Sequence, residues 1–349
     1  MVAVVAMLLV LVLAVPAQAQ SLPSVASGHR PGPDILYAPP AAAPQLENTG
    51  PWTAQPILVS GTSAYRDGEF LYQDFLYDDH GAQGVRDPED PFSLEDFAFS
   101  PKHGTLTYPT HEAYANNAAD FVELRVKPLA DATGFRVTFN TLIEPERTAF
   151  TIALGSSDSP VDWPHGAGVS SPADLFLTVH GDTAELIDAQ SGAAPDAPAP
   201  TASVDVTRRQ VDVRVPHEAW DPGTGSVRIA AGAGLWDTEE GGYLTPQAAA
   251  SEDRPGGAAA GDPPPALFNM AFRFDEPMPE TANPATNTIA EGSVLAGADG
   301  AFWRERAQAD ALQEGDVSDF FAEVDFGMLE AGTRDDSGIP ATGAMNRIL

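Results

Sequence analysis

Between residues 120 and 274 the chain repeatedly alternates apolar and polar positions with a period of two. In Gly134-Phe135-Arg136-Val137-Thr138-Phe139-Asn140 the residues Phe135, Val137 and Phe139 fall on one side and Arg136, Thr138 and Asn140 on the other, as successive Cβ atoms do along an extended strand. Gln210–Val215 repeats the pattern with Val211, Val213 and Val215. Comparable segments are Asp120–Val126, Thr148–Leu154, Asp174–Val179, Ala184–Asp188, Ser226–Ala231 and Phe268–Phe274, bounded by Gly, Pro, Asp or Asn. Such runs read as short strands. No amphipathic helix separates consecutive ones, so the expected fold is all-β, an antiparallel β-sandwich rather than a βαβ unit.

The flanks and interruptions have other patterns. Residues 20–56 are rich in Pro, Ala and Gly with little periodicity, which predicts a disordered or extended lead-in. Ser191–Ala202 and Pro246–Pro265 lack apolar side chains large enough to fill a core and read as surface loops, disordered in part. Gly300–Gln313 carries Phe302, Trp303, Arg306, Ala309 and Leu312 at helical spacing, and Val317–Val324 reads as a second short helix. The expected organisation is a signal peptide at 1–19, the lead-in at 20–56, the sandwich at 57–276, and a helical connector and linker at 277–349. The final Ile348-Leu349, with nothing nearby to pack against, points to a further domain downstream.

Val2 to Val15 is almost wholly apolar, Pro16 breaks the run, and Ala17-Gln18-Ala19 is a small-x-small cleavage pattern. A run of about 14 residues suits a signal-peptide core and is shorter than the roughly 20 that a membrane span needs. The expectation is a secreted, extracellular protein with no membrane insertion after the signal is removed. Export permits disulfides, yet there is no Cys, so stability has to come from a core of ordinary size, with or without a bound metal. With 18 basic and 50 acidic residues the net charge is -32. That field repels nucleic acid and anionic membrane surfaces.

Most catalytic signatures are missing. Gly168-Val169-Ser170-Ser171-Pro172 has Pro where a nucleophile elbow needs Gly. His111-Glu112 and His217-Glu218 lack a second His four residues after the first, so no zinc-protease motif forms. Without Cys, thiolate sites and cysteine nucleophiles are excluded. His165, beside Trp163 and Pro164, has no Ser and carboxylate at recognisable positions and reads as a loop residue. What stands out is the carboxylates. Asp78-Asp79 next to Gly81 can present several oxygens to Ca²⁺, which takes six to eight oxygen ligands. Asp74 and Asp120 are the candidate completing ligands, chosen for their proximity. A solvated acidic turn is the competing reading. Trp163, Trp220, Trp236 and Tyr243 fall in loop-like contexts; rings at a sandwich edge can stack on sugar faces, and the same rings can instead close the core.

With those residues assembled, the chain resembles the glucodextranase C-terminal-like module, a DOMON-like β-sandwich related to family 9 carbohydrate-binding modules. The family pattern sets an Asp-Asp-x-Gly turn before Gly-x-Tyr-x-Tyr-Pro, then an Asp that opens a strand. Here the matching parts are Asp78-Asp79-His80-Gly81, Gly104-Thr105-Leu106-Thr107-Tyr108-Pro109 and Asp120-Phe121-Val122-Glu123-Leu124. Gly232-Ala233-Gly234-Leu235-Trp236-Asp237 is similar to the family's Gly-rich closing segment. The chain departs in two places. Leu106 stands for the first Tyr, and about twenty residues separate the turn from Gly104, an insertion that could carry the turn away from any site it forms in relatives. The resemblance spans roughly residues 60–275 and implies fold more strongly than ligand.

The tail from Phe302 to Leu349 resembles the connector that joins such modules to secreted actinobacterial α/β-hydrolases. The resemblance implies a secreted, non-catalytic carbohydrate-binding-type module, accessory to an extracellular hydrolase, with a polysaccharide or cell-surface glycan as partner. The alternative is the N-terminal portion of a secreted serine α/β-hydrolase or peptidase in which the sandwich is structural. A haem- or redox-binding DOMON domain is weaker, because the Met and His residues show no axial-ligand pairing.

Overall fold

The computed structural model describes residues 44–57, 60–82, 104–114, 117–259, 261, 263–272 and 307–330. The expected signal peptide, the lead-in up to residue 43, the acidic insertion at 83–103, the start of the tail and its last nineteen residues (349 − 330) lie outside the described residues.

Two antiparallel sheets form a sandwich. The first has the order β1 (Thr62–Arg66), β2 (Glu69–Gln73), β3 (Phe121–Pro128), β4 (Ala132–Phe139), β11 (Gln210–Pro216) and β10 (Thr201–Asp205). The second runs β13 (Gly242–Tyr243), β12 (Ser226–Asp237), β5 (Thr148–Gly155), β8 (Leu175–His180) and β9 (Thr183–Asp188). Two more strands, β14 (Leu267–Ala271) and β15 (Ala322–Asp325), pair with β12, and β6 (Pro160–Asp162) pairs with β7 (Ser170–Pro172) beside them. Each of the eight segments expected from alternation overlaps one of these strands, β3, β4, β5, β8, β9, β11, β12 and β14; residues 273–274 of the last segment lie outside the described residues.

The core between the sheets follows from the alternation. Phe70, Tyr72, Leu124, Val126, Phe135, Val137, Phe139, Val211 and Val213 face inward from the first sheet. Phe150, Ile152, Leu154, Leu177, Val179, Ile229, Ala231 and Leu235 face them from the second. The second sheet is buried on its other face as well, by a separate cluster that includes Trp163, Phe176, Trp236, Tyr243, Leu267, Met270, Leu312, Val317 and Phe320. β12 therefore reads as a nearly continuous apolar run, not an alternating one. Its glycines are steric: a Cβ at Gly232 would come within 2.8 Å of Leu267 and Met270, and one at Gly234 within 2.7 Å of the Ala266 carbonyl. Nothing larger fits where those covering residues approach the backbone.

Several expectations need correction. The tail is part of the sandwich: a helix over residues 307–314, here α1, contributes Leu312, then Val317 and Phe320 enter the outer cluster. Residues 322–325 form β15 against Ser226–Ile229, not part of a helix, and the short α2 (Phe326–Glu330) buries Phe326 and Leu329. Free energy is gained there because β12 would otherwise leave an edge unpaired. The stretch at 246–265 is held by backbone hydrogen bonds, with Thr107 and Gly256 exchanging two (3.0 and 2.9 Å) and the Thr110 N–H on Ser251 O at 2.8 Å. Residues 191–202 run directly into β10. Backbone pairing orders both segments without large side chains. The end of the lead-in, residues 44–57, lies across the first sheet, as described below.

Among the described residues no helix is long and apolar enough to cross a membrane. If the tail is integral, Leu312→Ala costs about 2–5 kcal/mol of stability, read as a lower midpoint in urea unfolding of the full chain. An unchanged midpoint would show that the tail is a detached connector.

Candidate functional site

Where β2 ends, the chain leaves the sheet at Asp74, with its N–H on Val122 O at 2.9 Å, and turns through Phe75, Leu76 and Tyr77 into Asp78-Asp79-His80-Gly81. Tyr77 has φ 64°, a left-handed conformation that costs a bulky residue energy. It is held there by its N–H, which donates to Asp120 Oδ2 at 2.9 Å. Asp120 in turn stands immediately before β3. The result is that Asp74, Asp78, Asp79 and Asp120 share one site, and each is at most 1% exposed.

The long insertion does not carry the turn away. Gly104 returns directly onto it: the Leu106 N–H donates to His80 O at 3.0 Å and the Thr105 N–H to Ala82 O at 2.8 Å. A Cβ on Gly104 would overlap the Gly81 carbonyl, so a glycine is required for this approach. The hydroxyl of Tyr108 donates to Asp79 Oδ2 and accepts the Ala119 N–H at 3.0 Å. All three pieces of the pattern thus meet in space, although they are spread over residues 78–120.

Amide side chains complete the surroundings. Asn117 donates to Asp79 Oδ1 at 2.7 Å, Asn140 to Asp120 Oδ2 at 2.9 Å, and Asn269 of β14 to Asp78 Oδ1 at 2.5 Å. Gln308 of α1 donates to the Asp78 carbonyl at 2.6 Å and accepts the Met270 N–H at 3.1 Å. Sequence reasoning missed these four residues and Tyr108. Tyr108 was within reach, because it lies in the quoted motif; Asn269 and Gln308 arrive from 191 and 230 residues away with no local signal.

Among the described residues, Asp120 Oδ1 and Asn269 Oδ1 of this site are buried with no hydrogen-bond partner. Burial, and then the negative charges of Asp79 and Asp78, push the Asp120 carboxyl up to about 9, against a partial opposing effect of the Tyr77 N–H. Burial and Asp79 likewise raise the Tyr108 phenol well above its ordinary value. Among the described residues no three His, Asp or Glu side chains already stand as a cage around a common point. A cation would have to draw the carboxylates inward, exchanging some amide and hydroxyl donors for its own charge.

The four aromatic candidates are placed differently from a sugar-stacking edge. Trp163, Trp236 and Tyr243 are only 4–5% exposed. The indole N–H of Trp163 donates to Ser171 Oγ at 2.8 Å. One face of Trp236 is covered by His180, stacked at 4.4 Å and 14°, and Tyr243 meets it edge-on at 5.5 Å. The Tyr243 hydroxyl pairs with Thr151 at 2.8 Å. Trp220 is half-buried, against Phe135 and Phe326. Their large apolar area goes into packing, Trp163, Trp236 and Tyr243 against the outer face of the second sheet and Trp220 against the core between the sheets, with no open ring face on the three buried ones. His165 pairs with Glu185 at 2.7 Å and forms no triad.

No family model matches this chain, and no curated protein matches it.

The raised Asp120 carboxyl has a pH consequence. Its ordinary value is 3.8, so between about pH 4 and about pH 9 the folded state holds a proton that the unfolded state has released. Stability then falls as pH rises through that window. In chelator, the melting temperature is expected to drop from pH 5 to pH 9, and Asp120→Asn is expected to flatten the slope. A flat profile in the unsubstituted protein would show that Asp120 is not strained by its neighbours.

Proposed function

We propose that this chain is the non-catalytic, carbohydrate-binding-type module of a secreted protein, accessory to an extracellular hydrolase, and that a structural Ca²⁺ held by Asp74, Asp78, Asp79 and Asp120 stabilises it. The observation that carries this reading is the convergence of the Asp-Asp turn, the Gly104–Pro109 segment and Asp120 on one sealed site. These are the same residues on which the resemblance to glucodextranase C-terminal-like modules rests. The donor set suits a hard cation: all the donors are oxygens, most of them anionic, and two buried oxygens lack hydrogen-bond partners. When bound, the ion would supply charge neutralisation; Asn269 and Asn117 would orient Asp78 and Asp79 toward it.

A second reading is favoured by the burial of Trp163, Trp236 and Tyr243. If their rings serve the core, the sandwich is a structural scaffold at the N-terminal side of a serine α/β-hydrolase or peptidase. The two readings differ in what the chain does alone. Affinity electrophoresis against α-glucans and cell-wall polysaccharides separates them: retardation supports the module, and migration unaltered by every glycan leaves the scaffold.

Calcium is tested independently. At a hundred times its Kd a ligand of the native state stabilises by about 2.7 kcal/mol, which in a domain of this size raises Tm by roughly 5–10 °C. That rise is expected on adding Ca²⁺ to chelated protein and is expected to be lost in Asp78→Ala/Asp79→Ala. A melting curve indifferent to Ca²⁺ would remove the ion from the proposal.

A further inference from the structure

The outward face of the first sheet is unusual for a sandwich surface, because it is polar and yet sealed. Across β2, β3, β4 and β11 the register sets Gln73 beside Glu123, Glu123 beside Thr138 and Thr138 beside Gln210, and in the next row Arg125 beside Arg136 and Arg136 beside Asp212. Gln73, Glu123, Arg125, Thr138, Arg136 and Gln210 are all at most 7% exposed. The segment 44–57 lies over the Arg125–Arg136–Asp212 row and reaches Gln210, whose Nε2 donates to Gln45 O at 2.9 Å.

That segment is held by polar contacts. Arg125 donates to the Asn48 side chain and the Ala54 carbonyl, both at 3.0 Å, and Arg136 to Thr49 Oγ1 at 2.7 Å. Glu69 accepts the Thr53 and Ala54 N–H groups at 2.6 and 3.1 Å. The Trp52 indole N–H donates to Asp212 at 2.8 Å, and its ring lies 5.2 Å from the Arg136 guanidinium.

The fit is incomplete. Among the described residues, Gln73 Oε1, Thr138 Oγ1, Gln210 Oε1 and Arg136 Nη1 of this face are buried with no hydrogen-bond partner, and Gln45 Oε1 of the segment itself shares their state. Buried polar atoms in native folds are nearly always paired, and leaving one unpaired destabilises the closed arrangement. Here donors and acceptors without partners lie along adjoining rows of one sheet face. That is the chemistry of a site for a neutral polyhydroxylated ligand, whose hydroxyls both donate and accept.

We infer that the outer face of β2, β3, β4 and β11 is the glycan-binding surface of this chain, and that residues 44–57 are a displaceable cover over it. The inference rests on the carbohydrate-binding reading above and gives that reading a location the buried aromatics do not. The segment meets Arg125, Glu69 and Asp212 and, in the next row, the Gln210 amide N–H through Gln45 O at 2.9 Å; Gln73 Oε1, Thr138 Oγ1 and Gln210 Oε1 are left, and sugar hydroxyls would satisfy them. Apparent affinity is then set by the fraction of molecules with the cover open.

The test uses the full chain and titration calorimetry with maltohexaose, cellohexaose and xylohexaose, alongside melting curves. Thr138→Val keeps the shape and removes one unpartnered hydroxyl. It is expected to raise Tm while weakening binding of whichever oligosaccharide the unsubstituted chain binds by about 10-fold. Trp52→Ala loosens the cover and is expected to tighten the same binding by about 10-fold; should it melt below the assay temperature, Thr138→Val decides alone. Binding that both variants leave unchanged would place the glycan site elsewhere and overturn this inference while sparing the carbohydrate-binding reading. If neither the unsubstituted chain nor a folded Trp52→Ala binds any of the three, the carbohydrate-binding reading itself fails.

Discussion

Carboxylates withdrawn from water must be met by donors, a proton or a cation, and this requirement governs how the chain comes together. Four aspartates lie at the junction where β2 ends and β3 begins, each at most 1% exposed. Burying an unpaired charge costs far more than a typical packing contact contributes. The segments that reach the junction are therefore those that bring polar groups to it: the return at Gly104–Tyr108, Asn117, Asn140, Asn269 from β14, and Gln308 from α1. The tail is tied to the same place, since Gln308 links the Asp78 carbonyl to β14. Breaking the cluster would loosen contacts between parts of the chain more than two hundred residues apart.

The two sheets solve the problem of their outer faces in opposite ways. The second carries small residues outward from β5 and β12, among them Ala149, Ala153, Ala230, Gly232 and Gly234, and accepts Trp163, Tyr243 and the tail closely against its backbone. Dispersion and the hydrophobic effect hold that cover. The first presents charged and amide side chains, and its cover is held by hydrogen bonds to Arg125, Arg136 and Glu69. An apolar cover that is well packed has no better-suited competitor in water. A polar cover that leaves partners unmet does have one, and this asymmetry makes the first face the one suited to exchange.

Much of the fold was legible from local pattern. Alternation located eight strands, because side chains of period two can bury one face only in a sheet. The strands it missed had weaker local signals: β1 and β10 are edge strands with mixed burial, β2 is buried at all five positions and shows no alternation, β6, β7 and β13 are two or three residues long, and β15 looks helical until β12 offers it an edge. Within the site, Asp74, Asp78 and Asp79 were found because they cluster at one turn in sequence, and Asp120 because it opens the strand that follows. Asn117, Asn140, Asn269 and Gln308 were not, since an amide becomes part of the site only when the fold delivers it to a carboxylate.

The sequence by itself determined the class of fold, the inward face of each long strand, and the carboxylates that would need partners, because strand periodicity and charge are properties of residues and their immediate neighbours. Tertiary structure decided the rest. It closed a twenty-residue gap so that Gly104 meets Gly81, drew the tail into the second sheet, turned the tryptophans into packing groups, and laid residues 44–57 over a polar face. Each of those outcomes depends on which distant surface is available to pair with. Long-range complementarity of that kind has no local signature in the chain.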